Sequence, residues 1–286
     1  MERTTAGWGS GLLGIIIFSG SLPATRLAIA DMTPLFVTSG RAVIAALLGA
    51  VFLLAWRQPR PSRDAVMHLG IVSVGVVVGF PLLSGLALQH ISAAHSIVFT
   101  GLLPLATAIF GVIRGGERPR PVFWLFSILG ALTVVGFALY RSEGGSLVGE
   151  GLMVAAILLC GLGYAEGAAL SRRLGGWQVI SWALLLSLPV MAGIALLTMP
   201  AHWAAVGEQA WMGFAYVSVF SMMLGFVFWY RGLALGGIAG VGQLQLLQPF
   251  GGLALAALVL GEPIAWTMIA STGIVVLCVA GAKRFA

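Results

Sequence analysis

Charged residues are scarce in this sequence: they make up 8% of its 286 residues, and lysine occurs once, at Lys283. Soluble globular proteins carry about 25% charged residues, so the composition excludes a soluble domain. Apolar residues account for 59% of the chain and form long continuous stretches. Strands of a membrane barrel would alternate between apolar and polar residues instead. The chain is therefore predicted to be an all-α integral membrane protein.

The sequence also lacks the motifs of the common enzyme and pump classes. It contains no His-Glu-x-x-His, no Gly-x-Ser-x-Gly and no nucleotide-binding loop. Its two cysteines, Cys160 and Cys278, lie inside apolar stretches, which favours a packing role over disulfide, metal or redox chemistry. We therefore expect no enzyme activity, no cofactor and no ATP-driven pumping within this chain.

Ten apolar stretches are long enough to cross a membrane. A helix needs roughly 20 apolar residues to span the hydrocarbon, and the connections between the stretches are very short. No stretch could fold as a separate soluble domain. The predicted spans are 8–30, 33–56, 65–88, 91–113, 121–140, 148–170, 178–199, 210–230, 237–260 and 264–282.

The basic residues lie almost entirely on one side of these predicted spans. If the N-terminus is cytoplasmic, 12 of the 15 lysines and arginines are cytoplasmic, and the other three are Arg26, Arg41 and Arg141. This asymmetry follows the positive-inside rule and predicts a bacterial inner-membrane protein with both termini in the cytoplasm. The net charge of +6 is spread over short loops. It therefore indicates contact with anionic lipid headgroups rather than with nucleic acid.

One segment of the chain occurs twice. Gly85-Leu86-Ala87-Leu88 leads to Pro104 and Glu117, and Gly232-Leu233-Ala234-Leu235 leads to Pro249 and Glu262; each glutamate follows its proline by 13 residues. The ten spans thus divide into two halves of five, residues 1–143 and 144–286. Because five is odd, the second half is predicted to be inverted in the membrane, and substrates usually bind where such halves meet.

These features resemble the drug/metabolite transporter superfamily, specifically its EamA type with ten helices in two repeats. The resemblance covers nearly the whole chain, and within the superfamily the sequence is most similar to YddG-type aromatic amino-acid exporters. It implies a central cavity lined by helices one, three, four, six, eight and nine, with helices five and ten outside them. It also implies export of small amphipathic solutes, foremost aromatic amino acids.

Several polar and aromatic side chains within the spans are candidates for substrate binding, because polar groups in hydrocarbon are costly and need a role. His95 could bond a substrate carboxylate, although it could equally bond a neighbouring helix. Gln245 and Gln248 share a helix face and could bind a zwitterion, or simply hold helices together. Further candidates for the cavity wall are aromatic or hydroxyl-bearing: Ser21, Phe80, Phe99, Tyr164 and Phe228.

A second group of candidates concerns movement. Prolines inside spans remove a backbone hydrogen bond and bend the helix, so Pro23, Pro81, Pro104 and Pro249 are predicted hinges. Arg26 and Glu166 occupy corresponding places in the two halves and could gate opposite mouths of the cavity, with Glu166 also able to couple protons. The alternative is that both side chains reach toward the nearest interface.

Glycines four residues apart indicate closely packed helices. This spacing occurs in Gly232-Gly236-Gly240, in Gly75-Gly79 and in Gly163-Gly167, and it allows helix backbones to approach closely.

The sequence therefore predicts a secondary transporter that exports amino acids or related solutes by alternating access. The alternatives are a drug or metabolite effluxer of the same superfamily and a passive, channel-like facilitator. Besides its solute and membrane lipids we expect no obligatory partner: the protein is predicted to be a monomer, with a homodimer as the alternative.

Overall fold

The computed structural model describes residues 2–91, 96, 99–141, 146–260 and 266–286. All regular elements within these ranges are helical, and ten main elements follow one another along the chain. Their bounds are α1 (Glu2–Ser19 and Ser21–Ala28), α2 (Pro34–Ala55), α3 (Arg63–Val72, Ser73–Gly79 and Phe80–Ala87), α4 (Leu103–Gly115), α5 (Pro121–Arg141), α6 (Leu147–Leu174), α7 (Gly176–Leu197), α8 (Glu208–Ala215, Tyr216–Gly225 and Phe226–Gly236), α9 (Ile238–Gly242, Gln243–Leu247 and Gln248–Leu260) and α10 (Trp266–Phe285).

Six of these elements are long and apolar enough to cross a membrane, among the residues described: α1, α2 and α3, and then α6, α7 and α8. Within α4 and α5, Leu103–Gly115 and Pro121–Gly136 are shorter apolar helices. Large apolar side chains point outward from the bundle, as at Leu54, which is 77% exposed, and Leu197, which is 88% exposed. Such a surface is stable only against lipid. The prediction of an all-helical, multi-pass membrane protein is confirmed.

Three of the prolines lie next to a change in helical winding. Pro81, Pro104 and Pro249 are each the second residue of a regular α-helix. The helix of Pro81 follows the wider π-helical turns of Ser73–Gly79, and that of Pro249 follows the 3-10 turns of Gln243–Leu247. Prolines and π-helical turns are the usual places at which a helix bends.

That Pro81, Pro104 and Pro249 act as hinges stays a prediction. Pro23 is likewise the third residue of the segment Ser21–Ala28, directly after a break at Gly20. By contrast, Pro189 lies inside the continuous helix α7. The breaks themselves recur in matching elements, in α3 and α8 as π-helical turns and in α9 ahead of its proline.

The helices pack across the boundary between the two halves of the chain. α1 lies against α8 and α3 against α6, while α2 packs on α7 and α5 on α10. Glycine permits the closest of these contacts: a Cβ on Gly232 would lie 2.6 Å from the backbone nitrogen of Gly11, and one on Gly75 would lie 2.6 Å from the carbonyl oxygen of Leu159. No larger residue fits there, and the predicted role of these glycines is confirmed.

Loop contacts identify which connections share an end of the bundle. At one end, called the basic end here, Arg172 bonds Glu117 and the Lys283 ammonium lies 4.7 Å from the centre of the Trp8 ring. At the opposite end, the backbone N–H of Gly207 donates to the carboxylate of Asp31 at 2.9 Å. These pairings agree with the alternation of ends that the predicted spans require.

Candidate functional site

A cavity of about 40 Å³ lies in the interior where both halves meet. Its wall is formed by α1, α2, α3, α4, α6, α8 and α9, and among the described residues α5 and α10 supply none of it. The lining residues are Phe18, Ser21, Leu22, Thr25, Arg41, Val76, Phe80, Pro81, Ser84, Leu103, Tyr164, Ser221, Phe226 and Gln248. One water molecule needs about 10–15 Å³ of such space, so this conformation has room for a few waters only.

One side of the cavity is aromatic. The rings of Phe18 and Phe226 meet edge to face with centroids 5.1 Å apart, and Tyr164 meets Phe226 at 6.0 Å. Trp229, fully buried behind them, is 5.4 Å from Tyr164. These three ring contacts join α1, α6 and α8. They provide a surface suited to the apolar part of a flat or aliphatic solute.

The other side is polar and includes a buried cation. Arg41 is 6% exposed, and its Nη2 donates to the hydroxyl of Ser221 at 3.1 Å. The hydroxyls of Ser221 and Ser21 lie 2.8 Å apart. The Nε of Arg41 is buried and has no hydrogen-bond partner within the described part of the chain. A strongly polar donor of a residue that lines the cavity therefore lacks an acceptor in this conformation.

Five of the residues predicted from sequence lie in the cavity wall. Ser21, Phe80, Tyr164 and Gln248 were candidates for substrate binding, and Pro81 was a candidate hinge. Gln248 also donates from its side-chain amide to the carbonyl of Phe18 at 3.3 Å, which ties α9 to α1.

Gln245, in contrast, does not line the cavity. Its amide donates to the hydroxyl of Thr107 on α4 at 3.1 Å and to the carbonyl of Gly242 at 3.0 Å. A buried amide needs partners of this kind; the neighbouring helix and its own turn provide them for the amide nitrogen, whereas the side-chain oxygen is buried without a partner among the described residues. In this conformation Gln245 links helices, and its contact with substrate stays a prediction.

Two predicted aromatic residues also lie outside the lining. Phe228 is half-buried and is two positions along α8 from Phe226, which is a rotation of about 200° in an α-helix. Because Phe226 faces the cavity, Phe228 does not. Phe99 is half-buried against the hydrophobic core and is absent from the cavity wall. His95 lies outside the described residues.

Sequence reasoning did not select Arg41, Ser221, Thr25 or Phe226 as site residues. Arg41 did carry a signal, because an arginine within an apolar span is costly and calls for a functional explanation. The small hydroxyl residues carried none, because serine and threonine are common throughout membrane helices.

Glu166 belongs to a cluster of charges at the basic end. This basic-end cluster comprises Asp64, His68, Arg114, Glu166 and Arg173. The Nε of Arg114 donates to Glu166 at 2.7 Å, and the His68 ring bonds the other oxygen of Glu166. Asp64 lies 3.5 Å from the His68 ring and 3.3 Å from Arg173. The cluster joins α3, α4 and α6, whereas Arg26, its predicted counterpart at the other mouth, is exposed on α1.

Glu117, at the end of the first sequence copy, caps the beginning of α9. Its two carboxylate oxygens accept from the backbone N–H groups of Ile238 and Ala239, each at 2.7 Å. Gly237 precedes them with a φ of 93°, a backbone conformation that favours glycine. A negative charge at a helix N-terminus is stabilising, so Glu117 joins α4 to α9.

Comparison with known proteins places this fold and cavity in context. The chain is similar to the uncharacterized transporter YdeK of Bacillus subtilis, with 60% identity over 286 residues and all of both chains covered. It is also 25% identical to the uncharacterized transporter sll0355 of Synechocystis, over 95% of this chain and 89% of that one. A solved crystal structure has the same fold, with a TM-score of 0.82 and 19% identity, over 99% of this chain and 100% of that one.

The family profile identifies the chain more directly. The description "EamA-like transporter family" matches twice, over residues 6–139 and again over residues 147–282. The chain therefore belongs to the EamA-like transporter family, within the drug/metabolite transporter superfamily.

Proposed function

We propose that this protein is a secondary transporter that exports small amphipathic solutes, foremost aromatic amino acids, across the bacterial inner membrane. The observation that carries the proposal is the interior cavity, whose wall is drawn from both halves of the chain and combines aromatic rings with polar groups. A solute site between halves is where transporters built from repeats bind their substrates. The membership of a transporter family supports the general class.

The halves, residues 1–143 and 144–286, are proposed to be inverted repeats of five spans each. The helix packing supports this proposal. If α1 corresponds to α6 and α3 to α8, the contact between α1 and α8 corresponds to the contact between α6 and α3, and both contacts are present. The α2–α7 and α5–α10 contacts convert into themselves. Because the chain alternates between the two ends and each half has five elements, the counterparts run in opposite directions.

The basic end is proposed to face the cytoplasm, which places both termini there. The distribution of arginine supports this orientation through the positive-inside rule. In the conformation described, the basic end is held by ion pairs from three carboxylates, Asp64, Glu117 and Glu166. We infer that export begins when these contacts separate and admit the solute from the cytoplasm.

Alternating access then requires the cavity to expand, because 40 Å³ is far smaller than an aromatic amino acid. The interrupted elements α3, α8 and α9 are suited to this movement. Their π-helical and 3-10 turns hold weaker or irregular hydrogen bonds than an α-helix, so they can change shape at lower cost. The prolines that follow these turns mark the hinge positions.

The experiment that tests the function is counterflow in proteoliposomes. Liposomes preloaded with unlabelled phenylalanine or tryptophan should accumulate the labelled amino acid faster than unloaded ones, because a carrier exchanges its solute. Saturable uptake without this stimulation would favour the passive facilitator. Stimulation by other metabolites or drugs, with none by amino acids, would favour the effluxer.

Two phenylalanines provide a matched pair of variants for the same assay. Phe80→Ala removes a ring from the cavity wall, and we expect counterflow to fall about tenfold, equivalent to 1.4 kcal/mol. Phe228→Ala removes a ring of the same size that lies outside the wall, and counterflow should change less than twofold. Equal effects from the two variants would contradict the assignment of this cavity as the transport site.

A further inference from the structure

Arg41 is a buried charge with no counter-charge among the residues that the structure describes. It is 6% exposed, lies within the apolar helix α2 and forms no ion pair among the described residues. An ionised side chain without a partner in such surroundings costs several kcal/mol. A group that is so expensive to bury, and that is placed beside a cavity, has an explanation if something entering the cavity neutralises it.

The acidic side chains of the described chain are engaged elsewhere or absent from the cavity. Glu166 bonds Arg114 and His68 at the basic end, and Glu117 caps α9. No aspartate or glutamate is among the lining residues. The guanidinium donates to the neutral hydroxyl of Ser221, which lies 2.8 Å from the neutral hydroxyl of Ser21. The cavity therefore has a net positive charge.

The geometry of the guanidinium restricts which anion fits. Arginine presents its N–H donors in a planar fork that matches the two oxygens of a carboxylate. In Arg41 one donor is directed to Ser221, and the Nε–H is buried without an acceptor among the described residues. A phosphate monoester carries more charge and calls for several converging cations. One arginine therefore suits a singly charged carboxylate.

We propose that Arg41 binds the carboxylate of the transported solute, so that the cavity selects small amphipathic carboxylates, amino acids included, over amines of the same shape. This inference rests on the proposed function and deepens it. The aromatic side of the cavity, with Phe18 and Phe226, holds the apolar part of the solute, while the carboxylate supplies the missing negative charge. Cationic drugs are excluded by repulsion from the same guanidinium.

The first test is binding of four probes to the purified wild-type protein in detergent, in buffer free of carboxylates. The probes share a phenyl ring and differ in charge: 3-phenylpropanoate, phenylalanine, phenethylamine and 3-phenylpropanol. We expect the two carboxylates to bind at least tenfold more tightly than the amine and the alcohol. Binding of the amine as tight as that of the carboxylates would overturn the proposal, and so would a lack of carboxylate binding.

The second test uses two arginine variants. Arg41→Gln should weaken carboxylate binding at least tenfold and leave the alcohol unchanged. Arg60→Gln, which removes an exposed arginine in the loop between α2 and α3, outside the cavity, should leave all four affinities within twofold. Undiminished carboxylate binding in Arg41→Gln would overturn the assignment. If that variant does not fold, Arg41→Lys replaces it: a point charge should retain the preference for carboxylates at reduced affinity, and an unchanged affinity would count against the fork geometry.

Transport separates a failure of this inference from a failure of the function. Counterflow of phenethylamine that is insensitive to Arg41→Gln would leave the protein a transporter and refute the role of Arg41. Carboxylate binding that depends on Arg41 without any counterflow would support the site and refute the carrier mechanism.

Discussion

The cavity and the basic-end cluster each contain an arginine, and the two arginines differ in whether a carboxylate pairs with them. In the cluster, the Nε of Arg114 donates a hydrogen bond of 2.7 Å to the carboxylate of Glu166, and the His68 ring bonds the other oxygen of the same carboxylate. In the cavity, Arg41 is more deeply buried and donates one hydrogen bond, to the hydroxyl of Ser221. A charge that is paired within the protein holds helices together, whereas a charge that is left unpaired beside a cavity is available to a solute. The contrast separates a structural cation from a ligand-binding one.

The largest effect that tests this comparison is on stability. Glu166→Gln removes the charge that Arg114 and His68 share, and we expect the free energy of unfolding to fall by about 2 kcal/mol, because hydrogen bonds to charged groups contribute about 1.5–3 kcal/mol. Thermal unfolding in detergent measures the loss. Carboxylate binding should not weaken, because loosening the basic end leaves Arg41 and the cavity wall in place.

Arg41→Gln is the matched control for that measurement and should behave in the reverse manner. It breaks no ion pair and removes a buried charge that has no counter-charge among the described residues, so the free energy of unfolding should stay the same or rise. A large loss of stability in Arg41→Gln, with little in Glu166→Gln, would remove the distinction between the two arginines.

A double-mutant cycle measures the pair in the cluster directly. Arg114→Gln and Glu166→Gln, separately and together, should give a coupling energy of about 1 kcal/mol, at the lower end for groups in contact. The value is modest because the Arg114 side chain is 37% exposed and water screens it. The same cycle with Arg41→Gln and Glu166→Gln serves as the control, since the two belong to separate sites. A coupling near zero for the first pair would show that the cluster does not hold α4 to α6.

The smallest effect concerns the hydroxyl that orients Arg41. Ser221→Ala removes the acceptor of its Nη2, so the guanidinium is less well positioned, and carboxylate affinity should fall about two- to fivefold, or 0.5–1 kcal/mol. The four-probe binding assay measures this, with 3-phenylpropanol as the internal control because it does not need Arg41. Ser218→Ala changes a hydroxyl on the same helix that bonds the carbonyl of Phe214, and it should leave binding unchanged. Equal losses in both variants would point to a general disturbance of α8.

The helices and their close contacts were predictable from sequence, because each depends on residues near one another in the chain: helices on the length of an apolar stretch, and close contacts on the spacing of glycines. The approach of Gly232 to Gly11 follows from the small residues that α8 presents every turn. The start of helices at Pro104 and Pro249 was also open to prediction, since proline is favoured in the first turn of a helix. The change of winding beside these prolines did not follow from apolar length, which does not show where one helical segment ends and the next begins.

The cavity wall was only partly predictable, because the facing of a residue depends on how its helix is wound. α8 contains π-helical turns over Tyr216–Gly225, in which each hydrogen bond spans five residues instead of four. The positions of Ser221 and Phe226 relative to the cavity therefore do not follow from a uniform period of 3.6. Gln245 illustrates a second limit, because its partner Thr107 is 138 positions away in the chain and only the fold brings them together.

The exchange of partners between the halves has a consequence for how the protein is made. Gly11 on α1 lies against Gly232 on α8, so α1 gains this neighbour only after the residues up to α8 have been synthesised. Until then, the backbone groove left by its glycines faces lipid or a chaperone. Neither half, expressed alone, should assemble into a stable bundle, and a gene split between them should yield function only when both pieces are inserted into the same membrane.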